Sequence, residues 1–447
     1  MKYAALVSLG CAKNLVDSEN MAKHLLDMGW QMTQVLSEAE LIVVNTCGFL
    51  ESAVQEAIEA ILEAAQHKVS GKCSMLVAAG CMVQRYGKKL LRELPEVDLF
   101  VGTSHYHALE AAVESKLAGN PRRLWIGRPA PVPGSEAGFA ISTGFHSAYV
   151  KIAEGCGNSC SFCIIPNLRG PLRSRREADI LAEAVRLTSA GIKEINLIAQ
   201  DTTAFGLDRN DMEALPRLLE KLDETPGLAW IRLLYSYPDR ITGRLLYTMA
   251  NSRKVVPYLD IPIQHCVPAI LKAMGRPPGS PERVIDKIRS AFPGVSLRTS
   301  IMVGFPGETG AEFKSLLAFM KRVEFDHAGV FVYSPEAGTK AAHLPGRPDK
   351  KRAESRRAAL LEVQREISTR KLKLLVGRNL PVLIEGRHPE TDLLLAGRLS
   401  TQAPEVDGGV MVTTGYAEAG EICLVRITAA HDYDLEGQIV RIEEFRN

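Results

Sequence analysis

"EGCGNSCSFCIIPNLRG", residues 154–170, sets Cys156, Cys160 and Cys163 in a Cys-x3-Cys-x2-Cys pattern. The loop follows "SAYVKIA" (147–153), an apolar stretch of strand length, so the thiols stand where a strand ends. Five further strand candidates come after it: "EINLIAQD", "AWIRLLYS", "YLDIPIQH", "LRTSIMVGF" and "HAGVFVYSP". Helical stretches such as "RREADILAEAVRLTSAG" and "GAEFKSLLAFMKRV" separate them. Six β/α units in a row predict a partial β/α barrel of parallel strands. A full eight-unit barrel takes about 250 residues, more than this segment provides. An open doubly wound sheet is the alternative. In either fold, a loop at the carboxyl end of a strand faces the ligand site.

Three thiolates on one short loop can hold three corners of a cuboidal iron–sulfur cluster. Fully ligated clusters use four cysteines, so a triplet leaves one iron open to a substrate or cofactor. Zinc is the competing ligand. Structural zinc sites use paired cysteine knuckles and four ligands, whereas this loop has one triplet and no His; His146 lies on the far side of the strand.

The flanking segments have their own character. Residues 1–117 contain the strand candidates "YAALVSLG", "AELIVVNT" and "CSMLVAAG", each followed by a helical stretch. That alternation predicts a parallel α/β domain, Rossmann- or flavodoxin-like. Cys11, Cys47 and Cys81 each sit where strand gives way to helix. Three equivalent strand ends can converge on one point, which favours a second metal site over three buried thiols. Residues 118–146, rich in Gly and Pro, read as a linker. The core, 147–373, closes with a basic helix, and residues 374–447 turn to short strands with turn signals, a small all-β barrel.

A chain of 447 residues suits about three such domains. The net charge of +2 gives no argument for nucleic-acid or membrane binding. No apolar run approaches the roughly 18 residues of a membrane helix. The N-terminus reads as a first strand rather than a secretion signal, so a cytoplasmic location is expected. The nine cysteines are then thiols or metal ligands rather than disulfides.

The triplet after the first strand of a partial barrel, with the aromatic Phe162 directly before the third Cys, resembles the radical S-adenosylmethionine (SAM) superfamily. The resemblance implies that the open iron chelates the amino and carboxylate groups of SAM, and that an electron from the cluster releases a 5′-deoxyadenosyl radical. Over the whole chain, including "SLGCAKNLVDSE" and "VVNTCGFLESA", the sequence resembles the methylthiotransferases, whose terminal barrel is of the TRAM type. It implies two 4Fe-4S clusters, with Cys156, Cys160 and Cys163 as ligands of one. Cys11, Cys47 and Cys81 would hold the other, which handles the sulfur to be inserted. No catalytic residue beyond the clusters is expected.

Further residues at strand ends are candidates for SAM contacts. Gln200 opens the polar run Gln200–Thr203 after the second barrel strand. Gly304 and Gly307 lie in "IMVGFPGET", which the resemblance turns toward SAM; the alternative is a plain strand–helix turn capped by Thr309. His265 is given no catalytic role, and Cys73, Cys266 and Cys423 are taken as ordinary thiols.

The methylthiotransferases divide by substrate. "AQDTTAFG" and "PYLDIPIQH" resemble the branch that modifies an aspartate β-carbon of small-subunit ribosomal protein S-twelve. From 376 to 447 there are six Arg and no Lys against twelve Asp plus Glu, a balance that repels RNA and favours a basic protein. Ribosomal protein S-twelve, or the small subunit holding it, is therefore the expected partner, with a flavodoxin-like or chemical reductant as electron donor and no membrane. The alternatives are a tRNA adenosine methylthiotransferase, and a non-catalytic iron–sulfur protein that binds RNA or carries electrons.

Overall fold

A computed structural model describes residues 2–128 and 146–442 of the chain. The first sheet holds β1 (Tyr3–Ser8), β2 (Gln31–Met32), β3 (Leu41–Thr46), β4 (Met75–Gly80), β5 (Leu99–Gly102) and β6 (Leu124–Trp125). All pairings are parallel, in the order β2-β1-β3-β4-β5-β6. That order is flavodoxin-like, with its switch point between β1 and β3. Alternation along β3 explains the layering. Ile42 and Val44 pack with Val54, Ala57 and Ile61 of helix Glu51–Ser70, and Leu41 and Val43 pack with Met21 and Leu25 of helix Ala12–Asp27. Strand β6 corrects the expected linker over 118–146: Leu124 and Trp125 pair with Phe100 and Val101. A two-residue edge strand has no periodicity to read. The rest of that linker, residues 129–145, lies outside the described residues.

The central segment contributes β7 (Ser147–Lys151), the small hairpin of β8 (Ala153–Glu154) and β9 (Arg173–Ser174), then β10 (Glu194–Ile198), β11 (Trp230–Leu233), β12 (Val255–Asp260), β13 (Ser296–Val303) and β14 (His327–Val332). Apart from the hairpin they form one parallel sheet in unbroken sequence order, β7-β10-β11-β12-β13-β14. A doubly wound sheet would reverse direction; this one winds on as a partial barrel. The basic helix, Lys350–Lys373, sends Leu360, Val363 and Ile367 into the barrel core. The last five strands, β15 (Asn379–His388), β16 (Thr391–Leu399), β17 (Val410–Thr414), β18 (Ile422–Ala430) and β19 (Leu435–Ile442), close into a barrel.

This small barrel sits on the amino ends of the central strands. Glu194 at the start of β10 is fully buried and pairs with Arg232 of β11 at 2.8 Å and with Arg398 of β16. Asp407 accepts from the Tyr258 hydroxyl at 2.7 Å and pairs with Arg298. Part of the acidic character of the terminal domain is thus spent on the central domain: Asp407 is a buried clamp, not a surface for a partner, and Glu385 pairs with Arg398.

Burial alone would raise the Glu194 carboxyl, but Arg398 and Arg232 overcome it and hold it at about 2, against an ordinary 4.5. A depressed carboxyl contributes stability that is present above pH 4.5 and lost as the pH falls toward 2. The difference corresponds to about 3 kcal/mol. Glu194→Ala leaves two buried guanidiniums without their shared partner and is expected to cost about 3–5 kcal/mol at neutral pH. Thermal unfolding at pH 7 and at pH 3 checks both expectations, and the gap between variant and wild type should shrink at the lower pH.

Candidate active site

The cysteine loop leaves and returns through the hairpin pairing Ala153 with Ser174 and Glu154 with Arg173, so its base is fixed. The Cys156 N–H donates to the Gly170 carbonyl at 3.1 Å, and the Asn158 N–H donates to Cys156 Sγ at 3.4 Å. Cys156, Cys160, Phe162 and Cys163 line one cavity together with Gln200 and Arg276. The remaining wall comes from the carboxyl ends of β10, β11 and β12, through Asp201, Tyr235 and Gln264 among others. Tyr235 and Gln264 both have left-handed backbone, φ 59 and 68. Such strain in bulky or long residues persists only where the surroundings impose it, commonly at functional sites.

The donor set suits a cluster. Burial pushes up all three thiols, Cys163 to about 12, which disfavours bare thiolates that a bound metal would stabilise. Asp201, the acidic residue of the wall, is already taken: it pairs with Arg240 at 2.5 Å and accepts from Asn158 at 2.8 Å and from Thr203 at 2.6 Å. Among the described residues, no three His, Cys, Asp or Glu converge on a single ion. A cuboidal cluster asks for no such convergence, because each thiolate meets a different iron.

Gly304 and Gly307 do not line this cavity. A Cβ on Gly304, φ 75, would lie 2.8 Å from Ala353 Cβ of the long helix, and the Gly307 N–H donates to the Gly346 carbonyl at 3.0 Å. Thr309 with Glu312 forms a capping box for helix Gly310–Val323. The turn serves packing and helix capping. His265 is buried, its Nδ1 accepting the Val267 N–H. Cys266 borders a different pocket, and Cys73 and Cys423 are buried in domain cores.

Cys11, Cys47 and Cys81 follow β1, β3 and β4, which are adjacent in the sheet. Sequence order alone does not reveal that adjacency. The loops touch: a Cβ on Gly10, φ 94, would lie 3.3 Å from Cys47 Sγ, and one on Gly48 would meet the Cys81 carbonyl oxygen at 2.8 Å. Burial raises Cys81 to about 11 although Arg169 donates to its sulfur at 3.4 Å. At Cys11 desolvation is outweighed by Lys13 and Arg169, and the thiol is lowered. In metal-free protein, Cys11 is therefore expected to alkylate first with iodoacetamide at pH 8, and Cys81 and Cys163 last. Timed quenching and peptide mass spectrometry give the order.

Between the two thiol groups stands a buried ionic wall that the sequence did not announce. Arg169 donates to Asp17 at 2.6 Å, Glu154 at 3.2 Å and Asn14 at 3.1 Å; Lys151 pairs with Asp17 and, at 2.8 Å, with Glu154. Gln200, in the cavity wall, donates to Glu154 at 2.7 Å. Burial opposes ionisation of Glu154, yet Arg169 and Lys151 hold it well below the usual carboxylate range. Arg169 ends the cysteine-loop segment itself, but its partners at 14, 17 and 81 are remote in sequence.

Comparison with known proteins adds to this geometry. Residues 3–102 match Uncharacterized protein family UPF0004, 150–320 the Radical SAM superfamily and 376–440 the TRAM domain. The ribosomal protein uS12 methylthiotransferase RimO of Syntrophobacter fumaroxidans is 61% identical over 98% of this chain and 99% of its own length. The chain belongs to the RimO methylthiotransferase family. RimO of Geobacter sulfurreducens is 45% identical over 98% of each chain. The radical SAM fold of this RimO-family chain also has solved counterparts. The radical SAM methyltransferase TsrM of Kitasatospora setae superposes with a TM-score of 0.56 at 16% identity, covering 74% of this chain and 73% of that one. As a member of the family the chain is a radical SAM methylthiotransferase. Among the described residues no helix is long and apolar enough to cross a membrane.

Proposed function

We propose that this enzyme inserts a methylthio group at the β-carbon of an aspartate in ribosomal protein uS12. In this reading Cys156, Cys160 and Cys163 hold the SAM-binding 4Fe-4S cluster, and Cys11, Cys47 and Cys81 hold a second one. The observation that carries the two-site reading is the placing of two cysteine triplets on facing domains, joined through Arg169, Glu154 and Gln200. Similarity to the RimO relatives supports the substrate. When bound, the clusters and SAM would supply one-electron chemistry and the sulfur to be transferred.

The chain's own residues do the rest. Phe162 and Gln200 line the cavity where SAM would lie. The cluster of Asp17, Lys151, Glu154 and Arg169 has its charges paired internally, so it links the sites without needing bulk water. The first domain takes in β6, and the rest of the chain divides as 147–373 and 374–447. A ribosomal substrate puts the enzyme in the cytoplasm, with a flavodoxin-like protein or chemical agent as reductant.

Anaerobic mass spectrometry tests the substrate. Reconstituted enzyme with SAM, sulfide and reductant is offered a peptide of the uS12 loop and, separately, unmodified tRNA. A methylthio mass gain on the peptide alone is expected. A gain on the tRNA alone would move the enzyme to the nucleic-acid branch.

A further inference from the structure

We propose that Lys13 recognises the carboxylate of the target aspartate. The inference rests on the uS12 reading above. That substrate brings a negative charge into the space between the two cysteine triplets. An unpaired carboxylate is costly to desolvate, so a cation with unused donors should face it.

The cations bordering that space differ in what they already hold. Arg85 pairs with Glu336 at 2.9 Å, and Arg240 with Asp201. Lys151 and Arg169 share Asp17 and Glu154. Arg276 donates to the Pro262 carbonyl at 2.8 Å and also acts on Cys160. Lys13 stands apart. Among the described residues no carboxylate lies within ion-pair distance of its Nζ, which sits 3.1 Å from the centre of the Tyr235 ring. Asp260, the acid that acts on Lys13 through space, accepts the Tyr235 N–H at 3.0 Å instead.

Position makes the case stronger. Lys13 follows Cys11 by two residues, and Tyr235 lines the cavity of Cys156, Cys160 and Cys163. One ammonium therefore reaches both halves of the site. Tyr235 is held in its left-handed backbone from both sides: its N–H binds Asp260, and its carbonyl accepts the Thr202 N–H at 3.1 Å. The ring is a fixed platform. An ammonium resting on an aromatic face keeps N–H donors for a carboxylate, and Lys13 is partly exposed.

The test compares two uS12-loop peptides, one with the target aspartate and one with asparagine in its place, on reconstituted holoenzyme. Binding is read by fluorescence anisotropy and product by mass spectrometry. Wild type should bind the aspartate peptide roughly 10- to 100-fold more tightly, the range for a charge-assisted hydrogen bond. Lys13→Met should bind the two peptides about equally, and Lys13→Arg should keep most of the preference. Lys13→Gln, which keeps the stem on Tyr235, replaces the Met variant if iron content shows incomplete assembly. A full preference retained in either neutral variant overturns the inference alone. No preference in wild type overturns it too. A wild type that modifies neither peptide overturns the substrate reading, and this inference with it.

Discussion

Cys160→Ala is expected to abolish SAM cleavage. Cys160 is one of three sulfurs lining a cavity whose acidic residue is already partnered: Asp201 accepts from Arg240, Asn158 and Thr203. The lining offers no fourth thiol and no free carboxylate to replace a lost thiolate. Loss of a supporting residue around a metal ligand already costs about 10- to 100-fold, so loss of a ligand should bring 5′-deoxyadenosine formation below about one-hundredth of wild type. Iron content should fall by roughly half if each triplet holds one four-iron cluster. Both quantities are measurable on the same preparation, by chromatography and by colorimetric iron assay. Normal cleavage with halved iron would move the SAM site to the Cys11 group. Normal cleavage with full iron would show that Cys160 is no ligand.

Features confined to one short segment were legible in the sequence. The triplet Cys156–Cys163, its place after a strand and the succession of six β/α units all follow from local pattern, and the structure bears out the partial barrel. The same holds for the small terminal barrel, whose strands are separated by turns. Features assembled from distant segments were hidden. The order β2-β1-β3-β4 puts the Cys11, Cys47 and Cys81 loops side by side, and nothing local encodes it. The ionic wall joins residues 14, 17, 151, 154 and 169, each an ordinary polar residue where it stands. Asp407 is one of the twelve acids counted from 376 to 447, and charge counting does not see Arg298 across a domain boundary. Gly304 and Gly307 are a different case. A Gly-rich turn at a strand end permits ligand approach; here the space beside Gly304 is taken by the protein's own long helix, and the Gly307 N–H by a neighbouring turn.

Cys47→Ala is expected to separate the two reactions. Cys47 lies at the far side of the wall from the SAM cavity and does not contribute to its lining. Its nearest structural relations are the Gly10 turn and the Cys81 loop, both in the first domain. The small alanine fits where the larger thiol stood, so the close Gly10 and Gly48 approaches remain possible. SAM cleavage should therefore stay within about twofold of wild type, while the methylthio product falls below about one-hundredth, again because a ligand is lost. Cys73→Ala is the matched control: that thiol is buried in the same domain's core and its removal leaves a small cavity, which lowers stability rather than separating the products. The comparison has direction as well as size. If Cys47→Ala lost cleavage in parallel with product, while Cys156, Cys160 and Cys163 still held their iron, the first domain would be taking part in SAM cleavage. Arg169 would then be the first place to look, since it touches Cys81 on one side and, through Glu154 and Gln200, the SAM cavity on the other.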